Sequence, residues 1–564
     1  MKYITFIFLL AMTAQAAVAF SGHSFMTYRS QGCNLARSNS GWFNRCTDNT
    51  ASLGVEYTRS FDAKSLANYY FGCDTHTISG SRVANRESGD ILADYFGLPT
   101  DFKSTIHFSP SIRNIIADID FYWLLGDCKK WNLRINVPVV HTAWSLNPCE
   151  QVVDRGTTDY PAGYMSSNGI FRSNLAESAL PALSGSTTFG DVSLPLQYGR
   201  ICCGEQRLTK FSDVLIALGR SMICTSDALL DVNLQVVIPT GTRSKAITLF
   251  EPQIGNGHHW ALGVGLSSRY DLFNNDSFTL SAYLDANVQH LFKTTQKRSY
   301  DLIKNGAGSR YMLLSDIANR ISIAQGFSPV PAQDLFNEQY ITRLFYGADA
   351  TTLDSKIKID VQADIVAKLT ATYCNWGLEL GYNFWARSAE KLVCREHLKH
   401  KFYGVKGDAQ LYGFIDAGSF IIPVPLNTTQ SEATLHAGQG KGNTTDNFVN
   451  NNADNAALVY NVSIPLAQTT TGSLINTGAT VLQQVNGSDQ AIVISDADIN
   501  NCSGLSPRAL SHKLFGAVRY EFDTCYDAQP YLLLGAEGDF SGKTHCQKTA
   551  VSQWGVWIKG GFNY

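Results

Sequence analysis

The stretch CREHLKH places Cys394, His397 and His400 three residues apart, with His545-Cys546 available from further along the chain. On a single helical turn that spacing aims three ligands at one zinc ion. A solvated helix carrying one cysteine is the commoner meaning of such a run, so no metal and no cofactor are expected. A nucleophilic site would need a serine activated by a histidine on the same face. The outward-facing candidates His141 and His512 have no serine beside them in register, so no enzyme is expected. A third set of polar residues recurs at two-residue spacing and is far larger. It comprises Asp118, Asp120, Arg134, Asp231, Arg269, Asp271, Asp285, Lys356, Lys358, Asp360, Asp364, Lys368, Glu379, Arg387, Lys513, Arg519, Glu521, Glu537, Asp539 and Lys559. Lining a lumen, opposed acidic and basic walls of this kind would orient a small hydrophilic solute. A lattice of ion pairs filling a narrow interior is the competing meaning. Tyr283, Trp385 and Phe515 share the polar register, where aromatic rings can stack on sugar or nucleoside rings or simply pack the wall.

Positioning that set requires strands. In IIADIDFYWLL the residues Ile115, Ala117, Ile119, Phe121, Trp123 and Leu125 fall on one face, with Asp118, Asp120 and Tyr122 opposite. WNLRINVPV repeats the scheme after a short turn, and DALLDVNLQVVIPTG repeats it again. Further tight hairpins are expected around Asn274-Asn275-Asp276 and around Cys374-Asn375. Twelve strands follow, near 51–61, 112–126, 131–144, 188–200, 226–239, 258–272, 276–291, 355–373, 376–387, 508–523, 529–541 and 550–564. Their apolar registers hold roughly 72 positions without one Asp, Glu, Lys or Arg, where a 16% charged composition would place about eleven. A charge facing lipid at the bilayer midplane costs about 2–4 kcal/mol, which explains the exclusion. A soluble sandwich shows the same alternation with its apolar side inward. It would rarely pair a charged second face with so low a charged fraction, since about 25% is usual.

The connections alternate in length. Those after the second, sixth, eighth and tenth strands are turns of a few residues. Those at 62–111, 145–187, 240–257, 292–354 and 388–507 are long, with a mid-sized insertion at 201–225 and a short tip at 542–549. No apolar run after the first residues approaches the roughly 20 residues of a spanning helix, so a membrane location implies a closed barrel. The net charge of −3 offers no basic face for nucleic acid. Residues 1–19 read as a secretory signal peptide, with an early cation, an apolar run and Ala17-Val18-Ala19 before the expected cleavage site. Residues 20–50 then read as an N-terminal periplasmic segment and 51–564 as the barrel, with 388–507 as a long extracellular loop inserted in it.

The chain ends in VWIKGGFNY, with apolar residues at every second position up to a terminal aromatic. Together with the alternating connections, this ending resembles the Gram-negative outer-membrane β-barrel class, of porin-like channels and uncharacterised cysteine-rich barrels. VVIPTGTR and FEPQIGNGHHWALGVGLSSRY look like a strand-loop-strand of uncharacterised outer-membrane channels. The resemblance implies an all-β, transmembrane, antiparallel up-and-down barrel of about 12 strands with long extracellular loops, in the bacterial outer membrane. It also implies that Ile558, Phe562 and Tyr564 form a signal read by the barrel assembly machinery. Outward Phe121, Trp123, Trp131, Trp260, Tyr373, Trp376, Tyr520 and Trp554 are expected to form an interfacial girdle. Partners implied are outer-membrane lipid and small hydrophilic solutes, with homo-oligomers or disulfide-linked neighbours as further options.

Thirteen cysteines in an exported chain make disulfides the default expectation. Cys128, Cys202, Cys203, Cys224, Cys374 and Cys525 are placed on the short-turn side. Cys73, Cys149, Cys394, Cys502 and Cys546 are placed on the long-loop side, and Cys33 and Cys46 ahead of the first strand. The stretch 426–503 is rich in Asn, Thr, Gln, Ser and Gly, while YMLLSDIANRISIAQGF and PAQDLFNEQYITRLFYGAD have helical spacing. The preferred function is a channel passing small hydrophilic solutes by passive diffusion. A surface adhesin or structural coat protein with a closed lumen is the alternative.

Overall fold

Period-two alternation gives each strand one apolar and one polar face, and a single sheet can bury its polar face from lipid only by closing on itself. The computed structural model shows that closure. It describes residues 22–564 apart from 33, 42–47, 84–85, 88, 127–129, 161–164, 167–168, 276, 320–337, 400–402, 407–411, 417–420, 426–433, 437–492, 524–527 and 545–546. Twelve antiparallel strands form the barrel: β1 (Thr50–Ser60), β2 (Ser111–Leu125), β3 (Trp131–Ser145), β4 (Val214–Cys224), β5 (Ala228–Ile238), β6 (Ala261–Asn274), β7 (Phe278–Ser299), β8 (Thr352–Tyr373), β9 (Trp376–Arg387), β10 (Ala509–Glu521), β11 (Gln529–Ser541) and β12 (Gln553–Asn563). Each pairs with its neighbour in sequence, and β1 against β12 completes the cylinder. Short turns and both strand termini share one end. At that end the Asn49 amide donates to the Tyr564 carbonyl at 2.8 Å, and the Tyr564 amide donates to the Asn49 carbonyl at 3.0 Å.

The final strand shows the facing most plainly. Trp554, Val556, Ile558, Phe562 and Tyr564 are 40–55% exposed on the outside, while Trp557 and Lys559 on the other register are buried. No helix among the described residues is long and apolar enough to cross a membrane. A closed antiparallel barrel with an apolar outer face, short turns at one end and long connections at the other is the architecture of bacterial outer-membrane proteins, and the chain resides in that membrane.

Eleven of the twelve expected strands stand where the alternation placed them, and one does not. Residues 188–200 make only isolated bridges, Phe189 to Val192, Val192 to Leu344 and Arg200 to Thr248. Pro195 within them lacks the amide a central strand needs. The strand is instead β4, whose outward Arg220 disguises a lipid-facing register. That side chain lies near the short-turn end with its guanidinium 5.5 Å from the Trp131 ring centroid, so the charge reaches the interface. The connection from β4 to β5 thereby shrinks to residues 225–227. Cys202 and Cys203 consequently move from the short-turn side to the long-connection side.

A second departure is local. Leu291 of β7 pairs with Ile359 of β8, but Gln289 pairs with Gln362, so β8 carries one extra residue at a bulge. Ser388 fixes it: its hydroxyl oxygen accepts from the amides of Asp360 at 3.1 Å and Val361 at 3.2 Å. One residue reverses which face every later side chain occupies. Ile357 and Ile359 are therefore fully buried, whereas Lys356, Lys358 and Asp360 lie outside the lumen rather than in it. Asp360 instead pairs with Lys358 at 3.2 Å and with Lys391 at 2.5 Å on the neighbouring strand 390–395.

The long connections fold together over one mouth. One hydrophobic cluster joins Tyr70, Phe71, Phe96, Phe108, Trp144, Phe250, Tyr311 and Tyr346, drawn from three connections and the end of β3. The 63–71 helix in this cap is capped by Asp62, whose carboxylate accepts from the Ser65 amide at 3.1 Å. The helical spacing noted at 311–349 gives strands in its described parts, 313–319 and 338–346. Strand 313–319 pairs with 403–405, which pairs in turn with 493–494, both from the ends of the 388–507 loop, so sheet pairing overrides local periodicity. The signal peptide and most of 426–503 lie outside the described residues.

Candidate functional site

The lumen is occupied by the chain itself. The described part of the segment expected to be periplasmic, residues 22–32 and 34–41, lies inside the barrel and its cap instead. At the capped mouth the Ser24 hydroxyl donates to the Ser299 carbonyl at 2.6 Å, and Tyr28 joins the cap core. Further along, the chain forms a single helical turn, α1 (Leu35–Ser38), level with the middle of the wall. β1 begins at the short-turn end.

Wall charges hold this segment at successive levels. Uppermost, the Thr27 hydroxyl donates to Glu390 at 2.5 Å and Arg387 donates to the Thr27 carbonyl at 3.1 Å. Arg298 also donates to Glu390, at 3.1 Å. Burial opposes the charged form of Glu390, but Arg298 and Arg387 outweigh it and hold its carboxyl below the usual range. Below that level, Arg29 pairs with Asp364 at 2.8 Å. Asn34 donates to Glu537 at 3.0 Å, and Lys513 pairs with the same carboxylate at 2.5 Å.

Arg37 is fully buried and pairs with Glu56 and, at 2.9 Å, with Asp118. The last carbonyls of a helix have no partner within it, and two wall lysines supply one here. Lys559 donates to the carbonyls of Ser38 at 2.8 Å and Ser40 at 3.0 Å, and Lys368 to that of Asn39 at 2.8 Å. The Gly41 amide donates to Glu379 at 2.8 Å. Apolar contacts complete the fit, since Leu35 and Ala36 pack with Val366, Phe515, Leu533 and Trp557.

Of the residues expected in the lumen, Asp118, Asp364, Lys368, Glu379, Arg387 and Glu537 are thus brought together on the N-terminal segment. Asp120 and Arg134 pair with each other at 3.3 Å beside it, and Arg519 pairs with Glu521 at 2.5 Å. Asp231, Arg269 and Asp285 lie inside the barrel on β5–β7, away from these contacts. Lys356, Lys358 and Asp360 do not join the site, for the register reason given above. Tyr283, Trp385 and Phe515 are inside but buried: Phe515 lies against α1, and Tyr283 has the Lys368 ammonium 4.8 Å from its ring centroid. Arg29, Asn34, Arg37 and Glu56 were not anticipated. Glu56 alone carried a signal, as the acidic residue on the polar register of SLGVEYT.

Two small cavities remain beside α1, on the side facing β3–β7, with Asn136, Gln289 and Gln362 lining one and Asn132, Asn233, Gln235 and Asn287 lining much of the other. Each has room for about one or two waters. On the outer wall His141 meets the Thr209 hydroxyl at 2.7 Å and His512 the Tyr382 hydroxyl at 2.6 Å. His397 pairs with Asp496 at 2.6 Å, and His400 lies outside the described residues. Cys73, Cys149, Cys202, Cys203, Cys374, Cys394 and Cys502 are free thiols. In the cap, burial lowers the pKa of His76 and of His436 to about 4, and Arg86 adds to the shift at His436.

No protein-family model matches the chain, and no curated protein does. Solved structures that resemble it are outer-membrane barrels. An outer-membrane channel from Pseudomonas putida is 9% identical, covers 91% of this chain and 95% of its own, and has a TM-score of 0.29. A FadL homologue from Pseudomonas aeruginosa is 8% identical over 96% and 99% of the two chains, with a TM-score of 0.26. The β-domain of the Bordetella autotransporter BrkA is 5% identical over 92% and 99%, with a TM-score of 0.27. Likeness this slight says nothing about what the present chain carries.

Proposed function

We propose that this protein is an outer-membrane channel for small hydrophilic solutes whose passage is closed by its own N-terminal segment. The observation that carries the reading is the ion-paired seat of residues 22–41 in an otherwise polar lumen. A barrel meant only as scaffold can fill itself with wall side chains. Here the filling is a separate stretch of chain, joined to the wall largely by charge pairs and hydrogen bonds. Withdrawing it would leave a lumen lined by Asp118, Glu379, Lys559 and their neighbours, which water would enter. Such a seat can be emptied without breaking a single barrel hydrogen bond.

A closed surface-binding or coat protein is the second reading, favoured by the hydrophobic cap over the mouth. Planar-bilayer recordings separate the two. The full chain is expected to be closed for most of the time, and a form lacking residues 22–41 is expected to show discrete conductance steps. A deleted form that still runs as a folded, heat-modifiable barrel yet passes no current would refute the channel.

A further inference from the structure

Resting on the channel reading, we propose that the β3–β7 wall is a solute-binding surface selective for neutral, multiply hydroxylated molecules such as sugars. The two halves of the barrel differ in chemistry. The charges that hold the N-terminal segment come chiefly from β1, β2 and β8–β12. The facing half presents carboxamides: across neighbouring strands, paired positions run Asn132, Gly219, Asn233, Gly265, Asn287. One step toward the mouth, Gln235, Gly263, Gln289 and Gln362 form a second row.

Glycine alternates with amide along the first row and separates Gln235 from Gln289 in the second, for a steric reason. A Cβ at Gly219 would stand 2.3 Å from the Asn132 side-chain oxygen. One at Gly265 would stand 2.3 Å from the Gln235 nitrogen and 2.4 Å from the Asn233 oxygen. The amides therefore lie flat over the glycines and meet one another. Gln235 donates to Asn233 at 2.8 Å and to Asn287 at 2.6 Å, and Gln289 donates to Gln235 at 3.0 Å. Asn132, 95% buried, keeps a side-chain nitrogen with no acceptor where it lines the second cavity.

A carboxamide has two donors and an acceptor with two lone pairs, and it carries no net charge. A flat array of them matches the alternating donors and acceptors of a polyol. It gives an ion little to offset the loss of its hydration. Toward the short-turn end the same wall adds Asp231 and Asp285, while Arg134 stands level with Gln235, so charges of both signs flank the amides and neither anions nor cations gain a uniform field. With residues 22–41 seated, the space before this wall has room only for waters. With them displaced, the space α1 fills and the two cavities become one passage, walled by amides on this side and by charges on the other.

The test uses the full chain carrying Arg37→Ala and Arg29→Ala, which weaken the seat, in liposomes whose swelling reports solute entry. Arabinose and ribitol, close to glutamate and lysine in size, are expected to enter several-fold faster than either amino acid. Adding Gln235→Glu or Asn287→Asp, which keep side-chain shape, is expected to shift preference toward lysine. Entry of all four solutes at size-ordered rates, unmoved by those carboxylates, would overturn the inference while leaving the channel standing. No entry of any solute through a folded barrel would overturn both.

Discussion

Replacing Arg37 by Met keeps most of the side chain's bulk and removes its charge. In the native arrangement that guanidinium is wholly buried between Glu56 and Asp118, which are themselves 1–2% exposed. Its loss leaves two carboxylates facing each other without a counter-charge. Asn136 still donates to Asp118 at 2.6 Å, whereas Glu56 keeps the longer Asn34 contact at 3.5 Å and loses its counter-charge. Removing one member of a buried pair costs about 3–5 kcal/mol. Nearly all of that cost falls on the seated state, because a displaced segment would let water reach both carboxylates. The seated-to-displaced ratio should therefore fall by about 10²–10⁴. The readouts are single-channel open probability and protease access to residues 22–41 in intact liposomes. Glu56→Gln added to Arg37→Met should recover much of the closed state, since it removes one orphaned charge. An Arg37→Met protein as closed and as protease-resistant as the parent would refute the seat. So would one that opens to the same degree with and without Glu56→Gln.

Four further outcomes are expected. Leu133→Arg and Leu378→Arg, on the outer face two residues inward of Trp131 and Trp376, should reduce the folded fraction after refolding into vesicles, each by part of the about 2–4 kcal/mol that a charge costs at mid-membrane; Asn132→Arg should spare folding and act on conductance. Reversing the charge of Lys356 and Lys358 should leave ion preference unchanged, because the β8 bulge puts both outside the lumen; a shift in reversal potential would contradict that register. Deleting Tyr564 should leave export intact but deplete the heat-modifiable band on unboiled gels, if VWIKGGFNY is read by the assembly machinery. The cap should loosen in acid: His76 and His436 have folded-state pKa values of about 4, below the ordinary 6.5, so their neutral burial stabilises fully above pH 6.5 and is lost as pH falls toward 4. Limited proteolysis of the cap across pH 7 to 4 measures this, and His76→Gln with His436→Gln should flatten the profile.

What the sequence determined by itself was the part written in local periodicity. Alternation in strands such as IIADIDFYWLL and WGVWIKGGFNY is imposed residue by residue by lipid on one side and polar interior on the other. Strand positions, facing and the closed all-β class were therefore legible before any coordinates. Where the rule failed, a single residue was enough: Arg220 hid β4 by reaching for the interface, and the bulge at Asp360-Val361 turned Lys356 and Lys358 out of the lumen. The occupant of the lumen was not legible at all. Arg29, Asn34 and Arg37 have no periodic partner nearby. Their counterparts Asp364, Glu537, Glu56 and Asp118 are brought to them only when twelve strands close around the segment. The amide rows are equally invisible along the chain, since Asn132, Asn233 and Asn287 lie on three separate strands. Only the register between strands, set by closure and hydrogen bonding across the whole barrel, lays them side by side over Gly219 and Gly265.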